Sequence, residues 1–164
     1  TARYPELVDR LCLISPAGFR MEEPFAQKLV KLPFVGRFLF TLIGRKSLMS
    51  RLDSNFHHPE KFPDFAAKFS PQLGYRGYLE ALRSSMRFFP LGSMREDFLK
   101  LKDRQKQTLL LWGRQDRIIP FAVGSEIREA LPAVNFVPIE DTGHNSNYEA
   151  PEIVNGEMIR FLKG

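Results

Sequence analysis

Three short apolar runs constrain the fold more than any other feature of this 164-residue sequence. They cover residues 11–15, 109–112 and 134–139, and each is closely followed by proline or glycine. Runs this short and this apolar are typical of parallel strands that are buried on both faces of a sheet. Helical patterns follow the second and third runs, over 121–131 and 151–162. This alternation predicts an α/β fold in which three parallel strands carry flanking helices.

The middle of the chain, residues 19–106, differs from the two ends in its sequence pattern. It contains most of the 15 phenylalanines and no clear strand pattern. Helical patterns cover residues 24–32, 34–43, 45–52, 60–69, 75–89 and 95–104. The sequence therefore divides into three parts. We expect a core strand and the end of a preceding helix at 1–18, a helical cap or lid inserted at 19–106, and further core strands and helices at 107–164.

Composition excludes several classes of protein. The single cysteine, Cys12, rules out an intramolecular disulfide framework and a cysteine-rich zinc site. The 24 basic and 19 acidic residues give a net charge of +5, but the basic residues are scattered. Because nucleic-acid-binding proteins carry dense basic patches, we expect no nucleic-acid partner. No stretch of the sequence is both long and apolar enough to span a bilayer.

Two ionisable residues lie just past predicted strands. Asp116 follows the second apolar run and His144 follows the third. The carboxyl ends of parallel strands share one edge of the sheet, where ligands bind, and a carboxylate there can fix the tautomer of a basic histidine. Alone, Asp116 would fit a turn residue before the helix that follows Pro120. Taken together, with Gly113 and Gly143 opening the turns, the two residues indicate a catalytic acid–base pair.

The sequence around these residues forms longer motifs. Residues 109–120 read Leu-Leu-Leu-Trp-Gly-x-x-Asp-x-x-x-Pro, and Gly143-His144 precedes Glu149-x-Pro-Glu. Together with residues 4–18, these motifs resemble the C-terminal half of an α/β-hydrolase-fold protein of the capped esterase, lipase and C–C hydrolase type. The resemblance covers the whole chain, but across 19–106 it rests only on the position of this segment, which is where the family's lid or cap lies. Gln107 is a departure, because the family often has proline before this strand.

The resemblance implies a function as well as a fold. Asp116 would be the acid and His144 the general base of a serine hydrolase that acts on an ester or related acyl bond of an apolar substrate, without a cofactor. The family's Gly-x-Ser-x-Gly nucleophile motif is not among these residues. We expect the nucleophile upstream of Thr1, either serine or, as in dehalogenases and epoxide hydrolases of this fold, aspartate. The chain alone is therefore expected to be inactive.

The sequence also leads to expectations about partners. The first residues look like the end of a helix already in progress, and the first predicted strand would have an open edge. We therefore expect the chain to pair with its own N-terminal half or a second copy, or to be marginally stable. Basic residues beside the apolar stretch 32–43 favour a weak contact with a membrane surface. These residues are Lys28, Lys31, Arg37, Arg45 and Lys46. The alternative function is a non-catalytic fragment or pseudoenzyme that binds a partner or lipid through its cap.

Three other groups of residues favour structural roles. His57 and His58 are adjacent, so we expect that they do not share a face, and no third ligand lies near them in sequence. We interpret them as loop residues and predict no metal site. Ser84 and Ser85 lie in an amphipathic helical pattern and are predicted to be surface residues. Cys12 lies on a predicted buried strand and is expected to be chemically inert.

Overall fold

The computed structural model describes residues 1–20, 25–89 and 94–164. Within these ranges it contains a sheet of three parallel strands, β1 (Arg10–Ile14), β2 (Gln107–Gly113) and β3 (Asn135–Ile139). The strands lie in the order β1-β2-β3, so β2 is central. The predicted class, an α/β fold built on three parallel strands, is confirmed.

Helices account for most of the remaining described residues. The α-helices are α1 (Phe25–Lys31), α2 (Val35–Met49), α3 (Phe65–Phe69), α4 (Tyr78–Phe88), α5 (Arg95–Asp103), α6 (Phe121–Ala130), α7 (Ser146–Glu149) and α8 (Pro151–Lys163). Short 3-10 helices cover Pro5–Leu7, Leu52–Asn55, Pro59–Lys61 and Ser70–Gly74. The predicted break near residue 44 is wrong, because α2 continues through Gly44, which packs against the Phe40 ring. The predicted helix 24–32 begins at a residue outside the described ranges.

The central strand organises the core. Leu110 and Trp112 of β2 lie in a buried cluster with Ile127 of α6, whereas Leu109 and Leu111 pack with Val154 of α8. This alternation follows from the two-residue period of a strand and places helices on both faces of the sheet. Burying one such leucine or aromatic side chain contributes about 1.5–3 kcal/mol. The continuous apolar run 109–112 is therefore what a strand covered on both faces requires.

The two outer strands are less buried than β2. All five residues of β1 are half-buried, and among the described residues neither outer edge of the sheet pairs with a further strand. β3 contains Pro138, which lacks a backbone N–H and is tolerated on an edge strand. Lys106 donates a hydrogen bond to the carbonyl of Val8 just before β1 (2.7 Å). Among the described residues, β1 therefore has the open edge that was expected for the first strand.

The chain divides into two compact units. The first comprises Thr1–Met21, Ser54–His58 and Leu91–Gly164, and the second comprises Glu22–Asp53 and Pro59–Pro90. The expected cap, residues 19–106, is longer than the second unit, because 54–58 and α5 lie in the first. Residues 21–24 and 90–93 of the expected cap lie outside the described ranges.

The second unit is helical. Within it, α2 packs against α1 and α4. The buried Arg83 pairs with Glu80 on the same helix (2.9 Å), and this contact lowers the pKa of the Glu80 carboxyl. Large apolar side chains of α2, such as Phe38 and Leu42, are exposed. Among the described helices, none combines the length and the hydropathy that crossing a bilayer requires.

Candidate active site

The turn after β2 holds Asp116 in one position. Its side chain is fully buried, and Oδ1 accepts hydrogen bonds from the backbone N–H groups of Ile118 (2.8 Å) and Ile119 (2.9 Å). The indole N–H of Trp112 donates to the carbonyl of Ile119 (3.1 Å) and ties the turn to the core. Oδ1 therefore stabilises the turn, and Oδ2 bonds to a second partner.

His144 is that second partner. Its Nδ1 lies 2.8 Å from Oδ2 of Asp116, although 28 positions separate the two residues in sequence. The carboxylate accepts a hydrogen bond, so Nδ1 carries the proton and Nε2 keeps a lone pair that can accept one. The His144 side chain is 24% exposed, so the ring is accessible at the edge of the sheet. The structure thus brings together the two residues that the sequence singled out.

Gly113 allows the acid turn and the histidine turn to touch. A Cβ atom on Gly113 would lie 2.0 Å from the carbonyl oxygen of Gly143, closer than any real contact. Gln115 adds reciprocal hydrogen bonds, because its N–H donates to the carbonyl of Thr142 (2.9 Å) and its Oε1 accepts the Thr142 N–H (3.2 Å). The distance between Asp116 and His144 is therefore fixed by backbone contacts around them.

A segment from the middle of the chain supports the histidine turn. Oε2 of Glu149 accepts the N–H of Gly143 (2.5 Å), and Oε1 accepts the N–H of His57 (2.7 Å). The N–H of Asn145 donates to the carbonyl of Asn55 (3.0 Å). Glu149 belongs to one of the motifs visible in the sequence, but no sequence signal indicates its role here or the role of residues 54–58.

Glu149→Gln is expected to destabilise the chain by about 2 kcal/mol, because charged acceptors make stronger hydrogen bonds than neutral ones. The measurement is urea unfolding, followed by the fluorescence of Trp112, the single tryptophan. The matched control is Glu152→Gln, at an exposed position in the first turn of α8, which should cost about 0.5 kcal/mol or less. Equal losses of stability in the two variants would contradict this role of Glu149.

The expectation that His57 and His58 do not share a face is wrong, because both rings lie beside Asp141, a residue distant in sequence. Nε2 of His57 lies 3.4 Å from Oδ1 of Asp141, and Nε2 of His58 lies 2.8 Å from the same oxygen. The two ring centroids are 4.3 Å apart. Adjacent residues in a turn, unlike those in a regular helix or strand, can direct both rings to one side.

The sequence also singled out Ser84, Ser85 and Cys12. Ser84 and Ser85 lie in α4, where the hydroxyl of Ser85 donates to the carbonyl of Ala81 (3.1 Å). Burial raises the pKa of the Cys12 thiol on β1, which reduces the thiolate fraction on which its reactivity depends. Neither observation connects these residues to Asp116 or His144.

Several known proteins are similar to this chain in sequence or in structure. The chain is 22% identical to YugF, an uncharacterized hydrolase of Bacillus subtilis, over 97% of this chain and 58% of that protein. It is 28% identical to a 2-hydroxy-6-oxononadienedioate/2-hydroxy-6-oxononatrienedioate hydrolase of Escherichia coli, over 60% of this chain and 34% of that protein. The enol-lactonase of Burkholderia xenovorans superposes on 99% of this chain and 59% of its own, with a TM-score of 0.79 and 20% identity.

The chain covers only part of the length of these relatives. The chain spans just under 60% of YugF and of the enol-lactonase, so it corresponds to a portion of the fold in those proteins. Over residues 1–151 it also matches the sequence profile of the family described as alpha/beta hydrolase fold. A match over nearly the whole sequence, together with the parallel sheet and its flanking helices, shows that this chain belongs to the α/β-hydrolase family.

Proposed function

We propose that this chain supplies the acid and the base of a serine hydrolase, with Asp116 as the acid and His144 as the general base. The observation that carries the proposal is the 2.8 Å contact between His144 Nδ1 and the buried Asp116 carboxylate. Both residues follow the carboxyl ends of parallel strands, where active sites of open α/β sheets lie. A histidine oriented in this way can take a proton through Nε2 and be stabilised while it is charged.

The proposed mechanism is acyl transfer to a nucleophile that lies outside residues 1–164. His144 Nε2 takes the proton of the nucleophile hydroxyl as its oxygen attacks the substrate carbonyl. Asp116 stabilises the imidazolium, which then protonates the leaving group. Water hydrolyses the acyl-enzyme with His144 again acting as base. The sequence contains no Gly-x-Ser-x-Gly motif, so the chain alone is proposed to be inactive, and an aspartate nucleophile is the variant mechanism.

An apolar ester or related acyl compound is the proposed substrate. The name of the similar enol-lactonase indicates action on a cyclic ester. The second unit contains a cavity of about 280 Å³ with a mostly apolar lining that includes Leu39, Phe40 and Ile43.

The open edge of β1 supports a proposal about partners. It would pair with a strand from the N-terminal half of the fold or, failing that, from a second copy of the chain. The alternative function is binding of a lipid surface or a partner without catalysis. It draws on the exposed Phe38 and Leu42 of α2, which lie near the basic residues Arg37 and Arg45.

A fluorophosphonate probe tests the proposed function, because it reacts with an activated serine. We expect no labelling of the 164-residue chain. We expect labelling of the full-length protein, meaning the polypeptide that joins these residues to the proposed nucleophile segment. In that protein, His144→Ala should slow labelling by about 10³-fold or more, since the base activates the nucleophile. Intact mass spectrometry measures the labelled fraction over time.

The outcomes separate the two functions. A full-length protein that folds but takes no label would contradict the serine mechanism and favour the non-catalytic alternative or an aspartate nucleophile. Hydrolysis of an alkyl halide or an epoxide without labelling would then indicate the aspartate mechanism, in which the carboxylate attacks carbon and His144 activates the water that cleaves the resulting ester. Labelling of the 164-residue chain on one of its own serines would contradict the proposal that the nucleophile lies elsewhere.

A further inference from the structure

We propose that His57, His58 and Asp141 form a binding site for a single divalent transition-metal ion, with zinc as the best fit. One ring nitrogen of His57, one ring nitrogen of His58 and a carboxylate oxygen of Asp141 all lie within 4.8 Å of one another. The measured distances from Asp141 Oδ1 are 3.4 Å to His57 and 2.8 Å to His58. Three ligand atoms from two distant parts of the sequence therefore converge on one small volume.

The backbone on the histidine side of this site is held in place. Oε1 of Glu149 accepts hydrogen bonds from the N–H groups of both His57 (2.7 Å) and His58 (3.3 Å). The close approach of Gly143 to the His57 backbone nitrogen limits movement further. Nδ1 of His57 is buried, so Nε2 is the nitrogen that faces Asp141. The backbone that carries the two rings is therefore held in place, which lowers the entropy lost on binding an ion.

The carboxylate side of the site lies in the turn after β3. Asp141 has a φ of +59°, in the left-handed region that most residues with a side chain avoid and that aspartate and asparagine tolerate best. Next to it, the Thr142 hydroxyl donates to the carbonyl of Ile139 at the end of β3 (3.0 Å). The carboxylate is therefore presented from a defined turn, and the Asp141 side chain is 65% exposed, so an ion can reach it from solvent.

The chemistry of the ligands favours zinc over calcium or magnesium. Calcium and magnesium prefer shells made of oxygen ligands, whereas imidazole nitrogen suits zinc, copper and nickel. Zinc binds nitrogen and oxygen at about 2.0–2.2 Å, so a tetrahedral ion holds its ligand atoms roughly 3.3–3.6 Å apart. The separation of 3.4 Å between His57 and Asp141 matches that value, whereas the 2.8 Å between His58 and Asp141 is shorter, so the His58 ring would rotate slightly to admit the ion. Two imidazoles and one carboxylate leave the fourth position for water.

This site is distinct from the proposed acid–base pair. His144 is engaged with Asp116, whereas the proposed ligands lie on the 54–58 segment and on the turn three residues before His144. A bound ion would join these two segments directly, in addition to the contacts through Glu149. The proposed role of the ion is therefore to clamp the histidine turn.

Equilibrium dialysis of the 164-residue chain against zinc chloride tests the site. We expect one zinc ion per chain, with a dissociation constant that Asp141→Asn raises by at least about 10-fold. Asparagine also tolerates the left-handed backbone, so the turn is retained. The matched control is Glu140→Gln, which removes a neighbouring carboxylate that pairs with Arg114 and should leave zinc binding unchanged. His58→Ala removes a second ligand and should give the same loss as Asp141→Asn.

Histidine NMR signals locate the bound ion, because the chain has only three histidines. Zinc should shift the ring signals of His57 and His58 and leave those of His144 in place, and His144→Ala and Cys12→Ser should both retain binding. Failure of the folded chain to bind zinc at sub-millimolar concentration would overturn the proposal. Equal affinity in Asp141→Asn and Glu140→Gln, or binding that is lost with His144 or Cys12, would overturn it as well. None of these readouts depends on hydrolase activity, so the site and the proposed function can fail separately.

Discussion

Asp116→Asn in the full-length protein should lower kcat/KM for ester hydrolysis by about 10⁴-fold, which raises the barrier by about 5.4 kcal/mol. The asparagine carbonyl can still accept the N–H groups of Ile118 and Ile119, so the turn is retained. Its amide nitrogen would then face His144 Nδ1 and donate to it, which leaves the proton on Nε2. A histidine in that tautomer cannot act as the base. Steady-state hydrolysis of p-nitrophenyl esters measures the change.

A matched substitution separates this effect from a general disturbance of the site. Glu140→Gln alters an exposed carboxylate on the histidine turn that pairs with Arg114, and its kcat/KM should equal that of the unmodified protein. Circular dichroism checks that each variant is folded. Retention of most of the hydrolytic activity by a folded Asp116→Asn variant would contradict the assignment of Asp116 as the acid.

Gly113→Ala should destabilise the chain by about 3 kcal/mol or more, a large fraction of the 5–15 kcal/mol that typically holds a domain together. The new Cβ would lie 2.0 Å from the carbonyl oxygen of Gly143 and 2.7 Å from that of Thr142. Both are backbone atoms, so the two turns must move apart. Urea unfolding of the 164-residue chain, monitored by Trp112 fluorescence, measures the loss.

Another glycine provides the control for this substitution. Gly156 lies within α8, and a Cβ there would meet no atom within 4 Å. Gly156→Ala should therefore stabilise the chain by about 1 kcal/mol, because alanine favours the helix over glycine. An unchanged unfolding midpoint for Gly113→Ala would show that the two turns are not held in the close contact described above.

The strands could be predicted because their signal is local. The runs 11–15, 109–112 and 134–139 differ from β1, β2 and β3 by a few residues at the ends. A strand buried on both faces must be apolar throughout, and proline or glycine nearby marks where it ends. The helices α6 and α8 were predictable for a similar reason, since a proline precedes each apolar helical pattern.

The pairing of Asp116 with His144 could be predicted from topology. Parallel strands place their carboxyl ends at one edge of the sheet, and each residue follows the end of one of two adjacent strands. The 2.8 Å contact then needed only the close approach of the two turns that Gly113 permits. Their catalytic roles stay a prediction, which the substitutions above test.

The surroundings of His144 could not be predicted in the same way. The segment 54–58 reaches the histidine turn through contacts with Gly143, Asn145 and Glu149, about 90 residues away in sequence. No apolar period or turn signal encodes such a contact. For the same reason, the convergence of His57 and His58 on Asp141 was not visible from sequence. Adjacent histidines give no indication of a carboxylate that only the fold brings near them.

The central claim is that Asp116 acts through His144, and a double-mutant cycle tests it most directly. We would measure kcat/KM of the full-length protein, Asp116→Asn, His144→Ala and the double variant on one p-nitrophenyl ester. Residues that act as a unit give effects that are far from additive. We expect Asp116→Asn to cost about 10⁴-fold when His144 is present and to have no measurable effect in the His144→Ala background. A further loss of similar size in that background would contradict the claim.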